Sequence, residues 1–206
     1  TENVIIPENK SVLLDITNAE AANLTVNGNL TINANQGLNV NGDLNNLGSF
    51  TINSGGSLIV SGNSTGNITY VRNITTPTAT GDSAIDNLEG WHLMTSPLDG
   101  QSYDTTWADT NGIASGTGSN RGVAKYNNTI SSNNWTYSDG SSNTFDVGVG
   151  YSIKRTTTGD VAFTGTLNTS DTNVAVSTGE TGFNLIGNPY PAYINAKTFL
   201  ELANNS

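Results

Sequence analysis

A direct repeat constrains this chain more than any other feature of its sequence. Leu24–Asp43 and Leu44–Asn63 align without a gap and are identical at eight positions. Each copy contains three short strand-like pieces, which in the first copy begin at Leu24, Leu30 and Leu38. A fixed period of about 20 residues is typical of a chain that coils and stacks on itself. The repeat therefore predicts a parallel β-solenoid.

Strand alternation within the repeat predicts which side chains face the interior. Successive side chains of a strand point to opposite faces, so Thr31 and Thr51 are predicted to face outward while their apolar neighbours face inward. Asn33 and Asn53 follow at the end of the same strands, where stacked amides can hydrogen-bond along a ladder. The predicted inward pairs are Leu30/Phe50, Ile32/Ile52, Leu38/Leu58 and Val40/Val60.

The first strand of the repeat departs from this regularity. Val26 aligns with Asn46, and the apolar residue of the second copy, Leu47, comes one position later. This offset predicts a bulge or a shifted corner. Gly28 and Gly48 are predicted at corners, with a positive φ that glycine adopts without steric cost.

The solenoid is predicted to be short. Val4–Ile6 lies one full period before Leu24–Val26, which indicates that the chain ahead of the repeat forms an atypical first coil. Ile68–Arg72 is an alternating strand that we expect to cover the other end. We therefore predict two domains, a solenoid over residues 1–73 and a second domain over residues 74–206.

The second half of the chain changes character after Pro77. Strand patterns recur at irregular spacing between turn residues, which favours an antiparallel sandwich or a jelly-roll-like body. Asn195–Asn204 is the one segment with helical spacing of apolar residues, and Asn195 is its predicted N-cap. The predicted strands are Gly90–Ser96, Gly122–Tyr126, Trp135–Tyr137, Gly150–Lys154, Asp160–Thr166, Asn173–Ser177 and Phe183–Gly187.

These patterns together define the predicted fold class. It is all-β, with a short parallel β-solenoid of two to three 20-residue coils. An antiparallel β-sandwich or jelly-roll-like domain follows, with one short C-terminal helix.

Composition excludes several classes of partner. The chain has seven Lys and Arg against 17 Asp and Glu, a net charge of −10, so it is not expected to bind nucleic acid or an anionic membrane. It has no cysteine, which excludes disulfides and thiolate chemistry and favours an exported bacterial protein. No apolar run approaches ~20 residues, so membrane insertion is not expected. Because it has no signal peptide and begins at Thr1, we expect a mature fragment or an excised piece of a longer protein.

Six sequence blocks together carry a family resemblance. In chain order they are SLIVSGNSTGNITYVRNI (57–74), GWHLMTSPLDGQ (90–101), GVAKYNNTISSNNWTY (122–137), GYSIKR (150–155), VAFTGTLNT (161–169) and GFNLIGNPYPAYIN (182–195). The combination spans roughly residues 44–200. It resembles a β-rich region of large secreted and surface proteins of Flavobacteria and other Bacteroidetes, those exported by the type IX secretion system.

The resemblance implies a context rather than a reaction. Such regions often lie between a catalytic or adhesive part and a C-terminal sorting domain. The expected location is therefore secreted or cell-surface, and the expected partners are neighbouring domains of the same polypeptide. No catalytic residue is carried over. Further strands normally follow the NPYP block at 188–191, whereas this chain stops at Ser206, so the sandwich is either incomplete or completed by a neighbouring segment.

Two acidic loops are candidates for a calcium site. Asp139–Asn143 has alternating oxygen donors, and a second acidic loop runs from Asp99 to Asp104. Exported acidic β proteins often bind calcium through such loop oxygens, although neither loop has the glutamate that completes an EF-hand. The residues predicted to hold one structural calcium are Asp99, Asp104, Asp139 and Asn143.

Aromatic side chains outside the core would favour carbohydrate binding, because apolar sugar faces stack on them. Trp135 and Tyr137 share one face of a predicted strand, and the other candidates lie in loop-like contexts. The alternative is that these rings form the sandwich core, which we predict for Trp91. The predicted carbohydrate-binding residues are Trp107, Trp135, Tyr137, Tyr190 and Tyr193.

The remaining motifs do not point to catalysis. His92 lies within an apolar strand, which favours a structural hydrogen bond over a catalytic triad. The aspartates of the second half mostly lie in turns, where they are expected to be solvated. Asp followed by Ser or Thr and a small residue matches the O-glycosylation pattern of Bacteroidetes, which predicts glycans at Ser83 and Thr105.

We therefore expect a non-catalytic structural or adhesion module of a secreted or cell-surface multidomain bacterial protein. The alternative is a carbohydrate-binding module that recognises an extracellular polysaccharide through loop aromatics, with calcium as an aid to binding.

Overall fold

Three parallel sheets surround one apolar core in the first part of the chain. The computed structural model describes residues 1–78, 80–81 and 88–202. Equivalent strands of three successive coils pair with one another, which confirms the predicted parallel solenoid. The strands are β1 (Val4–Ile6), β2 (Ser11–Leu14), β3 (Ala19–Ala21), β4 (Leu24–Val26), β5 (Asn29–Ile32), β6 (Gly37–Val40), β7 (Leu44–Asn46), β8 (Ser49–Ile52) and β9 (Ser57–Val60).

The period of the repeat sets the register between the second and third coils. The two residues of each predicted inward pair are partners on adjacent parallel strands, and all of these side chains are buried. Ile32 and Ile52 are completely buried, and burial of such a side chain stabilises the fold by about 1.5–3 kcal/mol. Thr31 pairs with Thr51 on the outer face, and Thr51 pairs in turn with Thr69.

The first coil is atypical, as predicted. Val4 pairs with Leu24 at the full period, but Val12 pairs with Leu30, which is less than a full period away. Val12 is 41% exposed, because no coil in the structure stacks on its outer side.

The predicted slip in the first strand is wrong. Asn46 pairs with Val26 and is buried, whereas Leu47 is 71% exposed. The Asn46 amide donates a hydrogen bond to the carbonyl oxygen of Asn67, 2.5 Å away. This hydrogen bond to the following strand therefore satisfies a polar side chain inside the solenoid, and the register does not shift to bury Leu47.

The repeated glycines have a different role from the predicted one. Gly28 and Gly48 do not have positive φ values. A Cβ on Gly48 would lie 2.0 Å from the carbonyl oxygen of Gly28 in the coil below. Glycine is required here because stacked backbones approach each other closely, and not because of the backbone conformation.

A polar ladder runs along a corner of the solenoid, but not at the predicted Asn33 and Asn53. Oδ1 of Asn23 accepts a hydrogen bond from the backbone N–H of Asp43 at 2.8 Å. Oδ1 of Asp43 accepts one from the N–H of Asn63 at the same distance. Each side chain therefore satisfies a backbone donor of the next coil.

One sheet continues from the solenoid into the second half of the chain. The strands added to it are β11 (Asn67–Ile74), β13 (Leu98–Asp99) and β19 (Gly159–Leu167), whereas β10 (Ser64–Thr65) pairs with β7 in another sheet of the solenoid. β11 pairs in parallel with β8 and in antiparallel fashion with β19, giving the six-stranded order β13-β19-β11-β8-β5-β2. β11 thus spans the predicted domain boundary after residue 73.

A second, four-stranded antiparallel sheet has the order β12-β18-β15-β16. Its core-facing Tyr151 and Ile153 share a buried cluster with Val161 and Phe163 of the six-stranded sheet, so the two sheets pack face to face. The remaining elements are β12 (Trp91–Met94), β14 (Ser102–Tyr103), α1 (Thr105–Thr110), β15 (Val123–Tyr126), β16 (Trp135–Tyr137), β17 (Asn143–Thr144), β18 (Tyr151–Lys154) and α2 (Ala196–Leu200).

This half differs from the prediction in two irregular segments and in one additional helix. Asn173–Ser177 and Phe183–Gly187 are not regular strands, although Ile186 forms one bridge with Val149. Helix α1 was not predicted. Helix α2 is confirmed with Asn195 as its N-cap, while the predicted extension past residue 202 lies outside the described residues.

Candidate functional site

A groove of about 670 Å³ runs along the second sheet, within the size range of ligand sites. We call it the sheet groove. Lys125 of β15 and Thr136 of β16 line it, together with Asp139 and with Asn143 at the start of β17. The opposite wall comes from residues 174–175 and 183–186, which the sequence analysis had predicted as strands.

Asn128 holds that opposite wall in place. Its side-chain amide donates to the carbonyl oxygen of Ser177 at 3.0 Å and to Oδ1 of Asn184 at 3.1 Å. Its own carbonyl oxygen accepts from the N–H of Glu180 at 2.7 Å. These bonds replace the strand pairing that the sequence predicted. A Cβ at residue 179 would lie 2.4 Å from that oxygen, so the glycine at this position is the only trace of the contact in the local sequence.

A charged network lies beneath the groove. Nζ of Lys125 lies 2.5 Å from Oδ2 of Asp146, which also accepts a hydrogen bond from the hydroxyl of Tyr151 at 3.1 Å. Burial raises the pKa of Tyr151 well above its ordinary value, while the hydrogen bond from the Asp146 backbone N–H lowers it and the Asp146 charge raises it. Burial likewise raises the pKa of the neighbouring Tyr103. Both phenols therefore stay protonated at neutral pH, and that of Tyr151 donates to Asp146.

The predicted calcium loop is an Asx turn that satisfies its own carboxylate. Oδ1 of Asp139 accepts from the Oγ of Ser141 at 2.5 Å and from its N–H at 3.0 Å. These two hydrogen bonds lower the pKa of Asp139. The Asn143 amide donates to Ser141 as well, so it directs its nitrogen toward the loop.

The second acidic loop is divided between other structures. Oδ1 of Asp104 caps α1 by accepting from the N–H of Trp107 at 2.8 Å, and Asp99 lies in β13. Within residues 1–78, 80–81 and 88–202, no three acidic, histidine or cysteine side chains cluster as metal ligands do. The predicted calcium site stays a prediction.

Trp135 and Tyr137 share one face of β16, as predicted. Their cross-strand partners are Tyr126 and Ala124, and the rings of Trp135 and Tyr126 meet edge to face at 5.2 Å. Tyr137 is 45% exposed and lines the sheet groove. The core position predicted for Trp91 is wrong, since its ring packs against Tyr137 and belongs to neither buried cluster.

The loop context predicted for Trp107 is also wrong. Trp107 lies on α1, is 9% exposed and donates its indole N–H to the carbonyl oxygen of Ala162. Its ring packs against Phe145 and Phe163 in the core, so it presents no face to a sugar.

Tyr190 and Tyr193 lie together, away from the sheet groove. The hydroxyl of Tyr190 donates to the carbonyl oxygen of Ser170 at 2.7 Å. Tyr193 is 74% exposed, and its hydroxyl donates to the carbonyl oxygen of Gly55 in the solenoid. Both rings border a separate cleft of about 350 Å³.

The other motif residues have identifiable structural contacts. Nε2 of His92 lies 2.7 Å from the carbonyl oxygen of Thr75, which confirms the predicted structural hydrogen bond. Thr105 is exposed at the start of α1, and its hydroxyl donates to the carbonyl oxygen of Gly140. Ser83 lies outside the described residues. Glycosylation at both positions stays a prediction.

One motif was missed at the sequence level. Gly62–Gly66 has the G-x-S-x-G spacing of a hydrolase nucleophile turn. Ser64 lies instead in β10, which pairs with β7 at the edge of a solenoid sheet, and its Oγ is buried without a hydrogen-bond partner. The strand-to-helix turn that exposes such a serine is not formed here.

These observations define an all-β protein in which a parallel solenoid and an antiparallel sandwich share a six-stranded sheet. The chain belongs to the family described as domain of unknown function (DUF8693), whose profile matches residues 1–206. Comparison with curated proteins and with solved structures gave no match in either case.

Proposed function

We propose that this chain is a non-catalytic structural and adhesion module of a secreted or cell-surface multidomain bacterial protein. The shared sheet is the observation that carries this proposal. Along β11, eight residues pair with β19 while Thr69 and Tyr70 also pair with β8 of the solenoid. Backbone hydrogen bonds therefore transmit tension between the two halves, as a spacer between neighbouring domains requires.

Its proposed partners are neighbouring domains of the same polypeptide. The net charge of −10 disfavours nucleic acid and anionic lipid surfaces. Among the described residues, no helix has the length and apolar character needed to cross a bilayer.

Single-molecule force spectroscopy tests the spacer proposal. The chain, held between two marker domains, should resist force and then extend by about 700 Å, the length of 206 residues at about 3.4 Å each. Loss of coils one by one below the unfolding force of the markers would contradict it. Release of reducing ends from polysaccharides would contradict the non-catalytic assignment.

A second candidate function is binding of an extracellular polysaccharide in the sheet groove, with calcium as an aid. The groove favours it because the exposed ring of Tyr137 lies beside amide and hydroxyl groups that can hydrogen-bond sugar hydroxyls. A polysaccharide pull-down with and without calcium tests it. Tyr137→Ala should abolish capture, whereas Leu93→Ala, an exposed change outside the groove, should leave it unchanged. No capture by the parent protein would exclude this function.

A further inference from the structure

A second cleft lies between the apolar core of the solenoid and that of the sandwich. Ile68 and Ile74 of β11 belong to the first and second cores respectively, and Tyr70 packs against both. Because side chains alternate along a strand, Arg72 points to the same core-facing side as these three. The two cores leave this side uncovered at Arg72, which is exposed. An arginine on the inner face of a strand is therefore open to a ligand.

The cleft around Arg72 has about 350 Å³ and is bordered by tyrosines. Tyr70 lines the cleft beside Arg72, and Tyr190 and Tyr193 approach from the loop of residues 188–194. The ion pairs among the described residues are Lys125–Asp146 and Lys197–Glu201. The guanidinium of Arg72 therefore has a phenol beside it but no carboxylate of this part of the chain.

This combination matches one ligand chemistry. A guanidinium presents a planar fork of donors that binds a carboxylate with two parallel hydrogen bonds. Tyrosine rings stack on the apolar faces of sugars, and their hydroxyls hydrogen-bond sugar hydroxyls. We propose that the cleft binds a carboxylate-bearing saccharide, a hexuronate unit of an acidic polysaccharide, with its carboxylate on Arg72 and its ring against Tyr193.

The overall negative charge of the protein opposes the binding of an acidic ligand. A net charge of −10 repels a polyuronate at long range, so attraction must come from the cleft itself. Binding should therefore strengthen moderately as salt screens the general repulsion, until the Arg72 contact is screened in turn. The site is separate from the sheet groove and does not depend on it.

Calorimetric titration with trigalacturonate tests the proposal, in the presence of a chelator to prevent bridging by calcium. The matched ligand is the methyl ester of the same trisaccharide, which keeps the sugar and removes the charge. The parent should bind the acid at least 10-fold more tightly than the ester. Arg72→Gln should weaken binding of the acid at least 10-fold, and Arg72→Lys by several-fold because lysine lacks the fork.

Arg121→Gln is the control variant, because it removes a guanidinium outside the cleft and should leave affinity unchanged. Thermal unfolding shows that each variant is folded. Equal affinity for acid and ester, no effect of Arg72→Gln, or no binding to the folded parent would overturn the proposal. Equal binding of trialanine would overturn the saccharide assignment in favour of a peptide carboxylate. Tyr137→Ala, which tests the sheet groove, should not change this binding.

Discussion

The side-chain amide of Asn46 donates a hydrogen bond to the carbonyl oxygen of Asn67, at the point where the last complete coil passes into the shared sheet. Asn46 is 5% exposed, and its Oδ1 has no hydrogen-bond partner. Burying an amide costs free energy wherever its hydrogen bonds are not made. The bond from Asn46 to Asn67 avoids part of that cost, so it contributes to positioning β11. The residue that interrupts the apolar pattern of the repeat is also the one that connects the solenoid to the next strand.

Asn46→Ala should lower the free energy of unfolding by about 1–3 kcal/mol, because the carbonyl oxygen of Asn67 loses a donor and a small cavity forms. Urea denaturation measures this change. Leu47→Asn is the control, and it should change stability by less than about 0.5 kcal/mol since Leu47 is exposed. A larger loss from Leu47→Asn would indicate the shifted register that the sequence predicted.

Gly48→Ala should destabilise the solenoid by more than about 2 kcal/mol, because its Cβ would lie 2.0 Å from a carbonyl oxygen of the coil below and the backbones would have to separate. Gly37→Ala is the matched control. Its Cβ would meet only the Oγ of Ser57 at 3.0 Å, a side chain that can rotate away. Thermal unfolding should separate the two variants clearly, and similar melting temperatures would argue against close stacking at Gly48.

Ile52→Asp should destabilise both halves of the protein together. A charge at this fully buried position should cost more than about 4 kcal/mol. Ile52 pairs with Tyr70 of β11, so loss of the solenoid removes one side of the shared sheet.

The tryptophans allow this coupling to be measured, because Trp91, Trp107 and Trp135 all lie in the second half. Their fluorescence reports the sandwich, while far-UV circular dichroism reports the whole chain. The two transitions should coincide in the parent and shift together in Ile52→Asp. A fluorescence transition that Ile52→Asp leaves unchanged would indicate two independent domains, divided near residue 73.

The buried phenol of Tyr151 predicts a loss of stability at alkaline pH. In the unfolded chain a tyrosine loses its proton near pH 10, whereas burial raises the pKa of Tyr151 in the folded protein. The unfolded state then binds fewer protons, so the free energy of unfolding falls as the pH rises above about 10. The contribution is fully present below that pH.

Tyr151→Phe should reduce this alkaline loss while lowering stability at pH 7 by about 1 kcal/mol, through loss of the hydrogen bonds with Asp146. Urea denaturation from pH 7 to pH 11 gives both values. Tyr193→Phe, at a ring that is 74% exposed, should follow the parent curve. An unchanged alkaline slope in Tyr151→Phe would show that Tyr151 is not its source.

Part of the candidate site could be predicted from the sequence. Local sequence patterns predict Tyr137, Asp139 and Asn143 as site residues, and the structure places all three along the sheet groove. No local pattern predicts Lys125 or Asn128, because their roles depend on partners at Asp146 and Ser177 that are distant in sequence. Hydrogen bonds of this kind leave no periodic signal.

The sequence alone determined the solenoid, since a regular repeat period and strand alternation dictate which residues stack and which side chains are buried. Tertiary structure decided how that stack ends. The antiparallel pairing of β11 with β19 joins segments that are far apart in the chain, and no local pattern specifies such a partner. The same pairing leaves Arg72 between two cores and helps to bury Trp107 against Phe163. Local periodicity therefore sets the coils, whereas long-range strand pairing sets the sandwich and both clefts.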